Sequence, residues 1–269
     1  MSSIECFVPS MSAEDMSVTV ESFSRSDAFT GVTILTGVSL RSTETLRSIA
    51  EAVSEKYMLI YTKDMPLEMG MFALDRILCI AEDTGADMLY ADHYKMVDGQ
   101  RKKHPLIACQ KGALRDDFDF GSVLVFKSSS FRRAVRAMEA DYEFGALYDL
   151  RLRMKNIVHV NEYLYTEIET DNRKSGEKQF DYVDPRNRAV QIEMEKVCTE
   201  HLKRIGAWLE PKFREPDINE FAGTPFEVTA TVVIPVFNRV RTVKDAVESA
   251  LSQKCDFPYN VIVVDNHST

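Results

Sequence analysis

Apolar residues fall into two alternating rhythms along the chain. Short runs rich in β-branched and aromatic residues read as strands: Ile4–Pro9, Val32–Thr36, Tyr57–Tyr61, Ala86–Asp92, Ser122–Phe126 and Ile157–Tyr165. Between them, apolar residues recur at helical spacing. Met16, Val20 and Phe23 share one side of Ala13–Ser24; Leu46, Ile49 and Val53 share one side of Thr43–Val53; Leu74, Leu78 and Ala81 share one side of Met71–Thr84. Ser130–Ala140 reads as a further helix, and Ala189–Leu209 as a long amphipathic one stopped by Pro211. Alternation of strand and helix predicts an α/β fold with a mainly parallel sheet and flanking helices.

The pattern restarts at Thr231. Val232–Ile234, closed by Pro235, reads as a buried strand. Val240, Val243, Val247, Ala250 and Leu251 follow at helical spacing, and Thr242 with Asp245 has the spacing of a capping box. After turn chemistry over Asp256–Asn260, Val261–Val264 reads as a second strand that delivers Asp265 at its carboxyl end. The two ends of the chain match: Pro9 and Thr36 are separated by 36 − 9 = 27 positions, Pro235 and Asp265 by 265 − 235 = 30. An internal repeat of this kind predicts a complete module over residues 1–184, a helix and linker over 185–224, and the opening of a second module over 225–269.

Composition narrows the partners. With 269 residues and a net charge of −9, the chain is of globular type and lacks the basic surface that nucleic-acid binding needs. No stretch is apolar for long enough to span a bilayer, and the leading residues carry no secretory signal. Five scattered cysteines fit reduced thiols, so a cytoplasmic protein is expected. His93 and His104 have no ligand spacing with other residues, and His159 lies inside a strand pattern. Arg101–His104 reads as a solvated basic loop.

Pro235-Val236-Phe237-Asn238 after one strand, and Val263-Val264-Asp265-Asn266-His267-Ser268-Thr269 after the next, resemble the opening of a family 2 glycosyltransferase. The resemblance implies a GT-A fold, a nucleotide-diphosphate sugar donor, a divalent metal (Mn2+ or Mg2+), and a saccharide or glycolipid acceptor in polysaccharide or glycan synthesis, with peripheral membrane association as one setting. It puts Pro235, Phe237, Asn238 and Asp265 in the donor site. In the family the aromatic of the first motif stacks on the base and the Asp hydrogen-bonds the nucleoside, roles that fall here on Phe237 and Asp265. A flat ring and a carboxylate acceptor suit those tasks.

Residues 1–184 depart from the same pattern. Met11 stands where the stacking aromatic is expected, and Thr36 where the Asp is expected. The family's metal-binding acid pair aligns near Ile60-Tyr61-Thr62-Lys63-Asp64, which leaves Asp64 as the metal candidate, or as a plain loop carboxylate, beside the ammonium of Lys63. Leu147–Arg153 (LYDLRLR) resembles the family's helix that carries the general base, but Ala146 and Leu147 occupy the acidic positions. Asp149 is the remaining catalytic candidate, and Arg153, four residues on, offers it a salt bridge instead. Arg115 and Asp117, in the acid-rich stretch 114–121, border the place of the family's acceptor site; Arg173, Lys174 and Lys178 lie where the family has a segment that closes over the donor.

Two readings follow. One is a hexosyl-type transferase whose main donor site is in the second module, with this chain inactive by itself. The other is a GT-A-like binding or scaffold module that has lost its chemistry.

Overall fold

The computed structural model describes residues 2–97, 99–168, 188–213, 215, 223 and 227–269. They form two compact units, Met1–Leu209 and Glu210–Thr269.

The first unit runs β1 (Ile4–Pro9), α1 (Ala13–Phe23), β2 (Phe29–Leu35), α2 (Thr43–Ala52), β3 (Tyr57–Tyr61), β4 (Leu67–Met69), α3 (Ala73–Thr84), β5 (Met88–Val97), β6 (Gln100–His104), β7 (Val123–Lys127), α4 (Ser128–Arg136), α5 (Ala146–Leu152), β8 (Ile157–Glu167) and α6 (Arg188–Arg204). Its sheet has the order β2-β1-β3-β7-β5-β8-β4, with β6 on β5. The sheet is mixed. β1–β2, β1–β3 and β5–β8 run parallel. β3–β7, β5–β7, β4–β8 and β5–β6 run antiparallel. The parallel half is the half built by strand–helix–strand crossovers. Between β6 and β7 no helix intervenes, so β7 enters the middle of the sheet against the direction of both neighbours.

Each sheet face has its own core. Leu74, Ile77 and Leu78 of α3 pack with Cys6, Leu59 and Tyr165 on one side. Leu46 and Ile49 of α2, Phe131 of α4 and Leu150 of α5 pack with Phe7, Ile60 and Phe126 on the other. Ser12 and Ser42 start α1 and α2, their hydroxyls accepting from the amides of Asp15 and Thr45.

Several local expectations are corrected. Residues 101–104 are not a loop but strand β6; the strand carries no apolar residue, and its pairing with β5 holds it in place. β4 is too short to leave a periodic signal. The long C-terminal helix ends at Arg204, before Pro211, because Gly206 takes the left-handed conformation (φ 72°) that closes a helix, and the Ala207 amide reaches back to the Leu202 carbonyl. That helix, α6, also packs into the first unit: Val197 is fully buried, and the Glu193 carboxylate accepts from the amides of Glu143, Phe144 and Gly145.

The second unit is β9 (Ala230–Val236), α7 (Val240–Leu251) and β10 (Tyr259–Asp265), with β9 and β10 parallel. α7 starts at Val240, so Thr242 is already in the first turn and the expected capping box does not form; its amide bonds to the Arg239 carbonyl.

Candidate functional site

In open α/β sheets ligands gather beyond the carboxyl ends of parallel strands. Each unit has such a place.

In the first unit it is a cleft of about 1190 Å³, bordered by Pro9 after β1, by Thr62, Lys63 and Asp64 after β3, and by the acid-rich stretch before β7. Asp64 is exposed at its edge. Lys63 does not point a bare charge into it: its ammonium lies 2.5 Å from Oε2 of the buried Glu167. Burial alone would raise the Glu167 carboxyl, but the hydrogen bond and charge of Lys63 help outweigh it and hold the group below the usual glutamate range. His93, also buried, has Nε2 3.3 Å from Glu167 Oε1. Burial pushes His93 down to about 4, against the pull of Glu167, so the ring is neutral at physiological pH. His104 bonds Asp119 at 2.9 Å, and Arg115 clasps Asp117 at 2.9 Å.

The residues present do not fit a divalent ion here. A hard cation asks for several oxygen ligands, yet Asp64 is accompanied by an ammonium. Among the described residues no three His, Cys, Asp or Glu side chains converge at ligand spacing.

Asp149 stands away from the cleft. It is 1% exposed and its carboxylate is taken by Arg153 at 2.8 Å and Arg204 at 3.7 Å. A general base must reach an acceptor hydroxyl; a carboxylate enclosed between two guanidinium groups acts instead as the tie between α5 and α6. Leu147 lines the cleft with an apolar side chain. His159 is a packed strand residue, as its pattern predicts, with Nε2 2.7 Å from the buried Asp92. The segment carrying Arg173, Lys174 and Lys178 lies outside the described residues.

In the second unit the four residues singled out by sequence come together at one end of the β9–β10 pair. Pro235 pairs with Val264, and Val236 with Asp265, so the two post-strand loops begin side by side. They are then closed into a ring of hydrogen bonds. Ser268 Oγ donates to Asp265 Oδ1, the Ser268 amide lies 3.3 Å from both Asp265 oxygens, and the same hydroxyl accepts from the Asn238 amide at 2.9 Å. Asn238 Oδ1 in turn accepts from the Thr269 amide at 3.0 Å. Asn238 holds this position with φ 50°, a left-handed conformation that asparagine tolerates better than most residues. The ring fixes the Asp265 carboxylate while leaving it further acceptor capacity, and Phe237 stands 56% exposed beside Asn238. Ser268 is the member that residue pattern alone does not single out. Its signal is the Asp-x-x-Ser spacing, which favours a side-chain-capped turn.

This unit is a strand–helix–strand with two parallel strands. Residues 231–269 match the sequence family described as glycosyl transferase family 2. No curated protein sequence matches. Among solved structures, residues 1–349 of S. aureus TarS in complex with UDP-GlcNAc share 11% identity, with a TM-score of 0.47 over 75% of this chain and 72% of that one. The mannosyltransferase PcManGT from Pyrobaculum calidifontis, in complex with GDP-Man and Mn2+, shares 8% identity, with a TM-score of 0.42 over 78% of this chain and 66% of that one. Both likenesses are too distant to assign a role to any residue.

Proposed function

We propose that the protein serves nucleotide-sugar-dependent glycosyl transfer, with the donor nucleoside held at the β9–β10 end by Phe237, Asn238 and Asp265. The observation that carries this reading is the coincidence of the family match with the hydrogen-bonded ring: Asn238 and Asp265, two of the three residues that would contact a nucleoside, are held by it, and Phe237 stands exposed beside Asn238. In the reaction the acceptor hydroxyl oxygen attacks the anomeric carbon, the bond from that carbon to the diphosphate oxygen breaks, and the diphosphate leaves, inverting the centre. The acceptor is a saccharide or glycolipid and the donor sugar a hexose. None of the described candidates takes the acceptor proton, since Asp149 is enclosed, and no described residue set holds the family's metal. The chain by itself is therefore expected to bind donor without transferring sugar.

The second reading concerns residues 1–184, taken as a GT-A-like module that keeps the fold and has lost the donor site. Met11, Thr36, Lys63 and Leu147 at the four informative positions support it. So does the register, because Pro9 pairs with Leu35 as Pro235 pairs with Val264, which sets Thr36 and Asp265 each one residue after the partner of the proline.

The test is a thermal-shift and calorimetric screen of the chain with UDP- and GDP-sugars, with and without Mn2+. A shift with one nucleotide series, lost in Phe237→Ala, is expected. No response to either series would refute donor binding by this chain.

A further inference from the structure

We infer that strand β6 is the docking edge for an extended acidic segment of a partner protein, which adds to the sheet as a further strand. The proposal does not depend on the donor reading, since every residue it uses lies in the first unit.

The backbone supplies the first feature. β6 pairs with β5 alone, and among the described residues no strand lies on its other side. An antiparallel strand bonded on one side uses alternate amides and carbonyls for that partner and turns the others outward. Gln100, Arg101, Lys102 and Lys103 are all exposed, so the outward row of donors and acceptors faces solvent.

The side chains supply the second. The register sets Tyr94 opposite Lys103 and Met96 opposite Arg101 on one face of the hairpin, and Lys95 opposite Lys102 on the other. On the first face the Arg101 guanidinium sits 4.0 Å from the Tyr94 ring centre, and the Lys103 ammonium 5.3 Å from that of Tyr163. Aromatic rings hold cations without neutralising them. On the second face two like charges stand directly across the ladder, an arrangement that weakens strand pairing. Among the described residues none of these four cations has a carboxylate at ion-pair distance, in a chain whose net charge is −9.

The spread of cations over two faces selects the class of partner. A flat anionic surface, or a polyanion lying across the sheet, meets one face and leaves the cations of the other unmatched. A strand laid along β6 meets both, because its own side chains alternate between the same two faces. Acids at successive positions then reach Arg101 and Lys103 on one side and Lys102 on the other, where they relieve its repulsion with Lys95. The partner's main chain meanwhile takes up the outward amides and carbonyls. Lysine on an edge deters an apolar strand, so the same residues that reject indiscriminate pairing leave an acidic strand as the complement.

The experiment is fluorescence anisotropy of the whole chain with a labelled peptide of repeating Thr-Glu-Glu. Two control peptides carry Gln in place of Glu, or the acidic sequence N-methylated throughout, which keeps the charge and removes the backbone donors. Binding of the acidic peptide that fades with salt is expected, with each control weaker by at least about tenfold. Lys102→Glu sets opposite charges across the β5–β6 ladder and so keeps the hairpin paired; it should also weaken binding at least about tenfold. No binding of the acidic peptide, equal binding of either control, or unchanged binding in Lys102→Glu would overturn the proposal.

Discussion

The segments β1–α1–β2 and β9–α7–β10 are built on one plan and live in different surroundings. Both pair the proline of the first strand with a residue at or near the end of the second, Pro9 with Leu35 and Pro235 with Val264. In the first, β1 is covered on both faces and flanked by β2 and β3; Cys6, Phe7 and Val8 are fully buried. In the second, no residue of α7 is buried, and Val232, Val233, Ile262, Val263 and Val264 all remain exposed. The contrast separates two properties. Strand–helix–strand geometry follows from local pattern and register, whereas stability comes from what covers it. The residues proposed above for donor binding are distributed in the opposite sense: the buried segment has Met11 and Thr36, and the exposed one has Phe237 and Asp265.

The largest expected difference is energetic. Phe7 and Val233 occupy the same step of the repeat, each two residues before the proline. Phe7→Ala should cost about 3–5 kcal/mol in urea unfolding of the first unit, through lost transfer energy and a cavity. Val233→Ala, at a site 56% exposed, should stay within about 0.5 kcal/mol. Comparable losses would mean that β9 is covered in solution.

The next difference is in pH dependence. His93 of the first unit is held at about 4 by burial, against an ordinary value of 6.5. Between those values the unfolded chain binds a proton that the folded one refuses, so stability falls as pH falls through the window, by up to about 3 kcal/mol. His201, lowered by burial and by neighbouring Arg204, adds the same sign. Glu167 adds to it too, since a carboxyl held below its usual range loses its contribution as pH drops. The second unit has no buried histidine among its described residues. His93→Phe, which keeps a ring against Tyr165, should flatten the first unit's profile between pH 6.5 and 4; an unaltered slope would show that His93 is not the titrating group.

Donor binding should distinguish the two copies as well. Asp265→Ala removes a charged acceptor and should weaken nucleotide-sugar affinity about tenfold to a hundredfold, the equivalent of roughly 1.5–3 kcal/mol. Thr36→Ala should change it little. Equal losses measured by calorimetry would assign a donor site to both copies and remove the ranking proposed above.

How much of this was legible in the residues varies with the kind of signal. Strong periodicity located β1, α1, α2, β3 and α3 to within a few residues. β6 was not legible, because a strand of Gln, Arg, Lys and His has no apolar alternation and exists through its partner. The antiparallel entry of β7 was hidden for a related reason, as strand direction depends on the connection rather than on the strand. Asp149 shows the same limit within a site: its Arg153 partner is visible four residues away, but Arg204 arrives only through the packing of α6. In the second unit Asp265 and Asn238 stood out by position. Their bridging through Ser268 and Thr269 depends on two loops meeting, which no single stretch of sequence encodes.

The smallest expected effect tests whether one repeat position does two jobs. Ser12 and Asn238 both stand three residues after the proline. The Ser12 hydroxyl accepts from the Asp15 amide at 3.1 Å and caps α1. Asn238, turned into the left-handed region, gives its side chain to the Thr269 amide instead, and α7 starts without a side-chain cap. Ser12→Ala should therefore cost about 1 kcal/mol of first-unit stability, and Ser12→Gly only a few tenths. Asn238→Gly accepts the same φ without strain and deletes the bridge to Thr269. It should leave α7 intact by circular dichroism while speeding amide exchange of Ser268 and Thr269. Loss of α7 in that variant would mean that Asn238 is a cap after all, and the two positions would then differ in surroundings but not in role.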